Sequence, residues 1–228
     1  MTLHIAALAS GTGSNVAAIQ RCIENGSLDA RIVLLLSNNP AAPVLELAKT
    51  AGIPVWARDH RKAASREAFD AELLDAINTS GADTVALAGY MRMLSPLFVR
   101  AYAGRILNIH PALLPSFPGV SGVRDALDRG VRVTGVTVHF VDEEMDNGPI
   151  IIQAAAPVGA NDTADALAAR IHALEHRIYP QALQWLAEDR LRLEGRSVRL
   201  LPGKDAPGSA SFGDAPSPWM ICPALEGF

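Results

Sequence analysis

The sequence predicts an α/β fold: an open, mostly parallel twisted sheet with helices on both faces. Three observations carry this. Short apolar runs alternate with patterns of helical spacing through the first half of the chain, the arrangement of βαβ units. The first strand runs straight into a glycine turn that opens a helix. Past residue 130 the rhythm changes to two long strands joined by one acidic turn, which predicts an antiparallel pair at one side of the sheet.

Leu3–Ser10 is a buried first strand, and Ser14–Glu24 a helix with Val16, Ile19, Cys22 and Ile23 on one face and Asn25-Gly26 as its stop. Ile32–Leu36 is a second buried strand ending in Ser37-Asn38-Asn39-Pro40. Val44–Ala51 is a helix closed by Gly52, and Pro54–Ala57 a short third strand. Ser65 caps a helix running through Ile77. Thr84–Ala88 and Ile106–Ile109 are the fourth and fifth strands, with a helix from about Pro96 to Tyr102 between them. Val133–Val141 and Ile150–Pro157 form the antiparallel pair, and Ala164–Leu186 is a long helix interrupted at Pro180. Residues 1–200 are expected to form a single domain. From Gly203 on, Gly, Pro and Ser make up 11 of 26 residues, so 201–228 reads as a tail. Its one apolar cluster, Trp219-Met220-Ile221, could dock on the body.

Composition narrows the function. The 228 residues carry a net charge of −4, against a large nucleic-acid-binding surface. Cys22 and Cys222 cannot build a disulfide framework, so a reducing cytoplasmic setting is expected. No apolar run approaches the roughly 18 residues of a membrane span. The expected partners are small molecules, with the chain a monomer or a homodimer.

Gly11-Thr12-Gly13-Ser14-Asn15 lies between the first strand and the first helix, where backbone N–H groups and the helix N-terminus favour an anion. It makes a good phosphate cradle and a poor dinucleotide fingerprint. The third glycine is missing, and Ser37-Asn38-Asn39 stands where an acid would hold a ribose diol. Asn108 and His110 end the fifth strand two residues apart, so both point to one face, and Pro111 keeps His110 extended. An amide N–H and an imidazole aimed at one point suit an oxygen gaining negative charge; a turn-capping Asn and a core His is the alternative. Asp142, Glu143 and Glu144 read as a solvated hairpin tip, whereas Asp146, before the rigid Asn147-Gly148-Pro149 turn, could be aimed inward. His172 and His176 are four apart on a helix, but Glu175 is not placed as in a zinc-protease motif, and no metal is expected. His4, His60 and His139 show nothing distinctive in their spacing.

Together Ser10–Asn15, Ser65-Arg66-Glu67, Ala88–Ser95, Asn108–Pro115, Val138-His139-Phe140, Met145–Pro149 and Glu175–Pro180 resemble the folate-dependent formyltransferases, in the branch that uses glycinamide ribonucleotide in purine synthesis. They run in that family's order over about residues 3–195, and the resemblance implies one catalytic domain over 1–200, phosphate-binding in its N-terminal half and folate-binding in its C-terminal half. The resemblance implies catalytic Asn108, His110 and Asp146. It implies phosphate binding by Gly13, Ser14 and Asn15, and contact of Glu175 with the glycinamide end. It implies folate contacts from Arg66, Met91, Arg92, Met93, Leu94, Asn108, Val141 and Asp146. The co-substrate would be 10-formyltetrahydrofolate, with no metal and no covalent intermediate. Asp146 would hold His110 charged and relay protons, in part through water. The sequence departs from the family at Ser121 and Val123, where histidines are usual. Other readings are a sugar-nucleotide formyltransferase, a methionyl-tRNA formyltransferase, a formyltetrahydrofolate hydrolase, and a non-catalytic phospho-ligand sensor.

Overall fold

A computed structural model describes residues 2–203 and 220–228. The sheet is built from β1 (Leu3–Leu8), β2 (Ala30–Ser37), β3 (Val55–Ala57), β4 (Thr84–Leu87), β5 (Ile106–His110), β6 (Val133–Phe140), β7 (Ile150–Pro157), β8 (Leu191–Glu194), β9 (Ser197–Leu200) and β10 (Ile221–Cys222). The helices are α1 (Ser14–Glu24), α2 (Val44–Thr50), α3 (Arg66–Ser80), α4 (Pro96–Ala101), α5 (Gly122–Asp128) and α6 (Ala164–Ala187). Strand order is β3-β2-β1-β4-β5-β6-β7-β9-β8, with β10 paired to β7. Neighbours from β3 to β5 are parallel, and β6 is antiparallel to both β5 and β7.

The two-residue period of a strand divides the core between the faces. On β1, Leu3, Ile5 and Ala7 face one apolar cluster, shared with α1, α2 and α6. Ala6 and Leu8 face the other, shared with α3 and α4. On β2 the alternation slips after Ile32, at an irregularity in the β1–β2 register, and then resumes with Leu34 and Leu36 opposite Leu35. The predicted cap at Ser65 is present, its side chain accepting from the Ala68 N–H.

Two expectations need correction. Pro180 does not interrupt α6, which runs unbroken through it. Tertiary contacts outweigh the missing N–H: Tyr179 and Trp185 are fully buried, and the Tyr179 hydroxyl bonds the carbonyl oxygens of Leu87 and Leu107, tying the helix to the sheet. The β8–β9 hairpin was not expected. Its strands are only four residues each and mostly exposed; the brief alternation of Leu191 and Leu193 with Arg192 and Glu194, and of Val198 and Leu200 with Ser197 and Arg199, is too short to stand out in the sequence. Of the Trp219-Met220-Ile221 cluster, Ile221 docks, pairing with Ala154 of β7, while Met220 stays exposed. Trp219 lies outside the described residues. Behind the docked strand Glu226 pairs with Arg190 and accepts from the Trp185 indole N–H.

Candidate active site

The phosphate loop follows from the end of β1. Gly13 adopts φ +80°, and a Cβ there would stand 2.3 Å from the Val44 side chain, so only glycine fits. No side chain caps α1, and its first turn carries no acid, so its N-terminal N–H groups are free of local competition. Asn15 is buried and donates from Nδ2 to Oε2 of the buried Glu175 at 2.8 Å. Asn15 Oδ1 has no partner. Burial pushes the Glu175 carboxyl above its ordinary pKa; the Asn15 bond and the fields of His172 and His110 pull the other way. Through Asn15, Glu175 is joined directly to the phosphate loop.

The second half of the site lies on β5. Asn108 and His110 share one face, as expected. Phe140 lies level with Leu107, and Val141 donates its N–H to the Ile106 carbonyl. Beyond them the 142–148 turn folds back over β5. Gly148 permits this, because a Cβ there would stand 1.8 Å from the Phe140 carbonyl oxygen. Asp146, at φ +51°, is thereby turned inward. Its Oδ2 accepts from the Gly119 N–H at 2.7 Å and lies 3.5 Å from His110 Nδ1; its Oδ1 lies 3.5 Å from Asn108 Nδ2. The structure thus brings Asn108, His110 and Asp146 together.

His139 was missed by the sequence reading. The antiparallel register sets it directly opposite Asn108, and its Nε2 lies 3.1 Å from Asn108 Nδ2. Its Nδ1 faces the Phe140 carbonyl at 2.8 Å, and a carbonyl only accepts, so Nδ1 carries the proton. Burial lowers the ring's pKa, partly opposed by that carbonyl and by Asp146. The neutral ring then offers an Nε2 lone pair, and Asn108 Nδ2 donates to it. A signal was present in the sequence: His139 alternates with buried Val138 and Phe140 on the strand that pairs with β5.

His110 Nε2 lies 2.7 Å from the Phe117 carbonyl and must donate to it. Asn108 and His110 each hold one good bond to the protein and one contact of 3.5 Å toward Asp146. Contacts that long are weak, and a new acceptor placed among the three groups could draw on the Asn108 N–H and, when the His110 ring carries both protons, on its Nδ1–H. Ser121, on the segment that closes over Asp146, makes no side-chain capping bond at α5.

The folate-segment residues divide by direction. Met91 and Met93 are exposed, Leu94 is buried, and Val141 is half-buried against the second core cluster. The Arg92 guanidinium is turned inward, paired with the fully buried Asp70, bonded to the Arg66 carbonyl at 3.0 Å and stacked over Phe69 at 4.7 Å. Arg66 itself is half-exposed, its guanidinium in a 3.4 Å contact with Glu67. Ser10 ties the two halves together, its Oγ accepting from the Met91 N–H at 2.8 Å and donating to Asn38 Oδ1 at 2.6 Å. Among the described residues no group of three or more His, Cys, Asp or Glu side chains is arranged to hold a metal, and no helix is long and apolar enough to cross a membrane.

A mixed α/β sheet with an anion loop on its first strand and an Asn–His–Asp cluster on its fifth is the framework of a group-transfer enzyme. The formyl transferase family matches residues 3–183, and the chain belongs to it: this is a formyltransferase. It is 44% identical over 198 residues to phosphoribosylglycinamide formyltransferase of Escherichia coli strain K12, across 87% of this chain and 93% of that protein. Glycinamide ribonucleotide transformylase 1 from Symbiobacterium toebii superposes with a TM-score of 0.87 at 46% identity, over 88% of this chain and 95% of that one. A formyltetrahydrofolate deformylase from Pseudomonas syringae pv. tomato also superposes, with a TM-score of 0.82 at 28% identity, over 89% of this chain and 67% of that one.

Proposed function

We propose that this enzyme transfers the formyl group of 10-formyltetrahydrofolate to the primary amine of glycinamide ribonucleotide. The observation that carries this reading is the convergence of Asn108, His110 and Asp146 at β5, in the same sheet as the phosphate loop after β1 that is joined to Glu175. The ribonucleotide phosphate takes the N–H groups of Gly13, Ser14 and Asn15, and Glu175 receives the glycinamide end. The unpartnered Asn15 Oδ1 offers that substrate a further acceptor. Folate lies along the segment from Met91 to Leu94, where exposed methionines give its rings an apolar bed and the inward Arg92 and Leu94 leave the backbone for hydrogen bonds. Arg66 meets its carboxylate end, and Val141 and the 142–146 turn form the opposite wall.

The amine attacks the formyl carbon, a C–N bond forms, and the carbonyl oxygen takes up negative charge. Asn108 Nδ2–H and the Nδ1–H of the doubly protonated His110 turn from their 3.5 Å contacts with Asp146 to that oxygen, while His110 Nε2–H stays on the Phe117 carbonyl. One donor of this kind is worth about 10²–10³ in rate. Asp146 takes the proton lost by the amine and relays it toward folate N10 as the old C–N bond breaks, a contribution of about 10²–10⁴. The reaction needs two small molecules. The two free cysteines fit a reducing cytoplasm.

Likeness to a deformylase raises a second reading in which water replaces the amine. Following 10-formyltetrahydrofolate consumption by absorbance, with and without glycinamide ribonucleotide, separates the two. Strict dependence on the ribonucleotide supports transfer, and consumption without it supports hydrolysis.

A further inference from the structure

The formyl transferase match ends at residue 183, yet the chain continues into the β8–β9 hairpin, and that hairpin reaches the site. β9 meets β7 through the pairing of Ser197 with Ile150, which sets the hairpin tip beside the turn that carries Asp146. There Arg196 Nη2 donates to both the Asn147 carbonyl, at 3.1 Å, and the Asn147 Oδ1, at 3.0 Å. Asn147 Nδ2 in turn donates to Asp142 Oδ2 at 3.1 Å. Among the described residues Arg196 makes no ion pair, so Asn147 is what fixes its guanidinium.

Asp146 is a non-glycine residue in the left-handed region, a conformation that persists only when its surroundings hold it. The bonds inside the turn, Asp142 to Asn147 and Glu144 N–H to Asp142, move with the turn and cannot anchor it. Packing does not anchor it on the hairpin side either. A cavity of about 430 Å³ opens there, lined by Leu114, Pro115, Asp146 and Arg196 among others. Besides the long contacts of Asn108, His110 and His139 with Asp146, three residues send hydrogen bonds to the turn from elsewhere. Gly119 reaches the Asp146 carboxylate, Arg100 reaches exposed Glu143, and Arg196 reaches the peptide next to Asp146.

We infer that Arg196 is a positioning residue for formyl transfer: it spans the open side of the turn, fixes Asn147 and so aims the Asp146 carboxylate at Asn108 and His110. The inference rests on the reading of Asp146 as the proton relay. It places a determinant of the reaction on a hairpin outside the matched family region.

The test uses the full chain with Arg196→Ala, Arg196→Lys and Asp146→Asn. It measures kcat, both KM values, thermal melting, and amide hydrogen exchange over 117–120 and 142–148. Misplacing a reacting group by a fraction of an ångström predicts a kcat for Arg196→Ala lower by about ten-fold. The ribonucleotide KM stays unchanged, because the phosphate loop and Glu175 lie on other elements. Lysine, which keeps a donor, restores part of kcat. Exchange quickens at Gly119 and through the turn, while Tm stays within about 2 °C, as for other exposed contacts. Unchanged kcat in Arg196→Ala beside an inactive Asp146→Asn overturns the inference and leaves the role of Asp146 standing. Unchanged exchange overturns it as well. Full activity in Asp146→Asn removes the relay itself, and the inference falls with it.

Discussion

The Nε2 atom of His139 lies 3.1 Å from the Nδ2 atom of Asn108, directly across the β5–β6 ladder. A proton fixed on His139 Nδ1 by the Phe140 carbonyl leaves Nε2 as an acceptor, and that acceptor settles which way the Asn108 amide points. Asn108 is thereby held with its N–H groups toward His139 and Asp146. Replacing His139 by Phe removes the acceptor and frees the amide to rotate. The expected result is a fall in kcat/KM of about ten-fold or more, with circular dichroism unchanged.

His139 also predicts a pH dependence of stability. Burial lowers its folded-state pKa, so between that value and about 6.5 the unfolded chain binds a proton that the folded chain does not. Stability therefore rises with pH through this window, is fully present above about pH 6.5, and is lost as pH falls through it. Melting temperatures measured across the window should show this slope, and His139→Gln should flatten it.

Glu175 shifts the other way. Its raised folded-state pKa means that the folded chain keeps a proton after the unfolded chain has released it, so stability falls as pH rises through that interval. Glu175→Gln removes a desolvated charge while retaining an oxygen for the Asn15 amide. The expected outcome at neutral pH is a higher Tm together with a ribonucleotide KM raised by at least about ten-fold. Thermal melts and steady-state kinetics on the same preparation check both halves.

Asp70 and Arg92 predict the cost of an unpaired buried charge. Asp70 is fully buried, pairs with Arg92 and accepts the Ser95 N–H at 2.5 Å. Asp70→Ala strands the guanidinium and should destabilise the fold by about 3–5 kcal/mol in denaturant titrations. Because the same pair holds the 91–95 segment, the folate KM should rise more than the ribonucleotide KM.

The sheet from β1 to β7 was legible because its strands are apolar runs punctuated by glycine, proline and caps, as at Ser65 and Gly13. What the sequence hid was what tertiary contacts decide. Pro180 reads as a break, but the anchoring of Tyr179 and Trp185 carries α6 through it. β8 and β9 do alternate apolar and polar residues, but over four residues each, at the sheet's exposed edge, and that is too short a run to read as strands. At the site, Asn108 and His110 could be paired from their two-residue spacing alone. His139 could not, since its partner lies 31 residues away and only the antiparallel register brings them together. The inward aim of Asp146 depends on φ +51° and on the close approach of Gly148 to Phe140, neither of which composition reveals.

The central claim is that Asp146 moves the proton between amine and folate while Asn108 and His110 hold the oxyanion. The most direct test is single-turnover formyl transfer from 10-formyltetrahydrofolate to glycinamide ribonucleotide by Asp146→Asn. Asparagine keeps the size of the side chain and an acceptor for the Gly119 N–H, but it cannot take up the proton. The account predicts a rate lower by about 10²–10⁴ with both substrates still bound at near-native affinity. A rate within about three-fold of the wild type would contradict it.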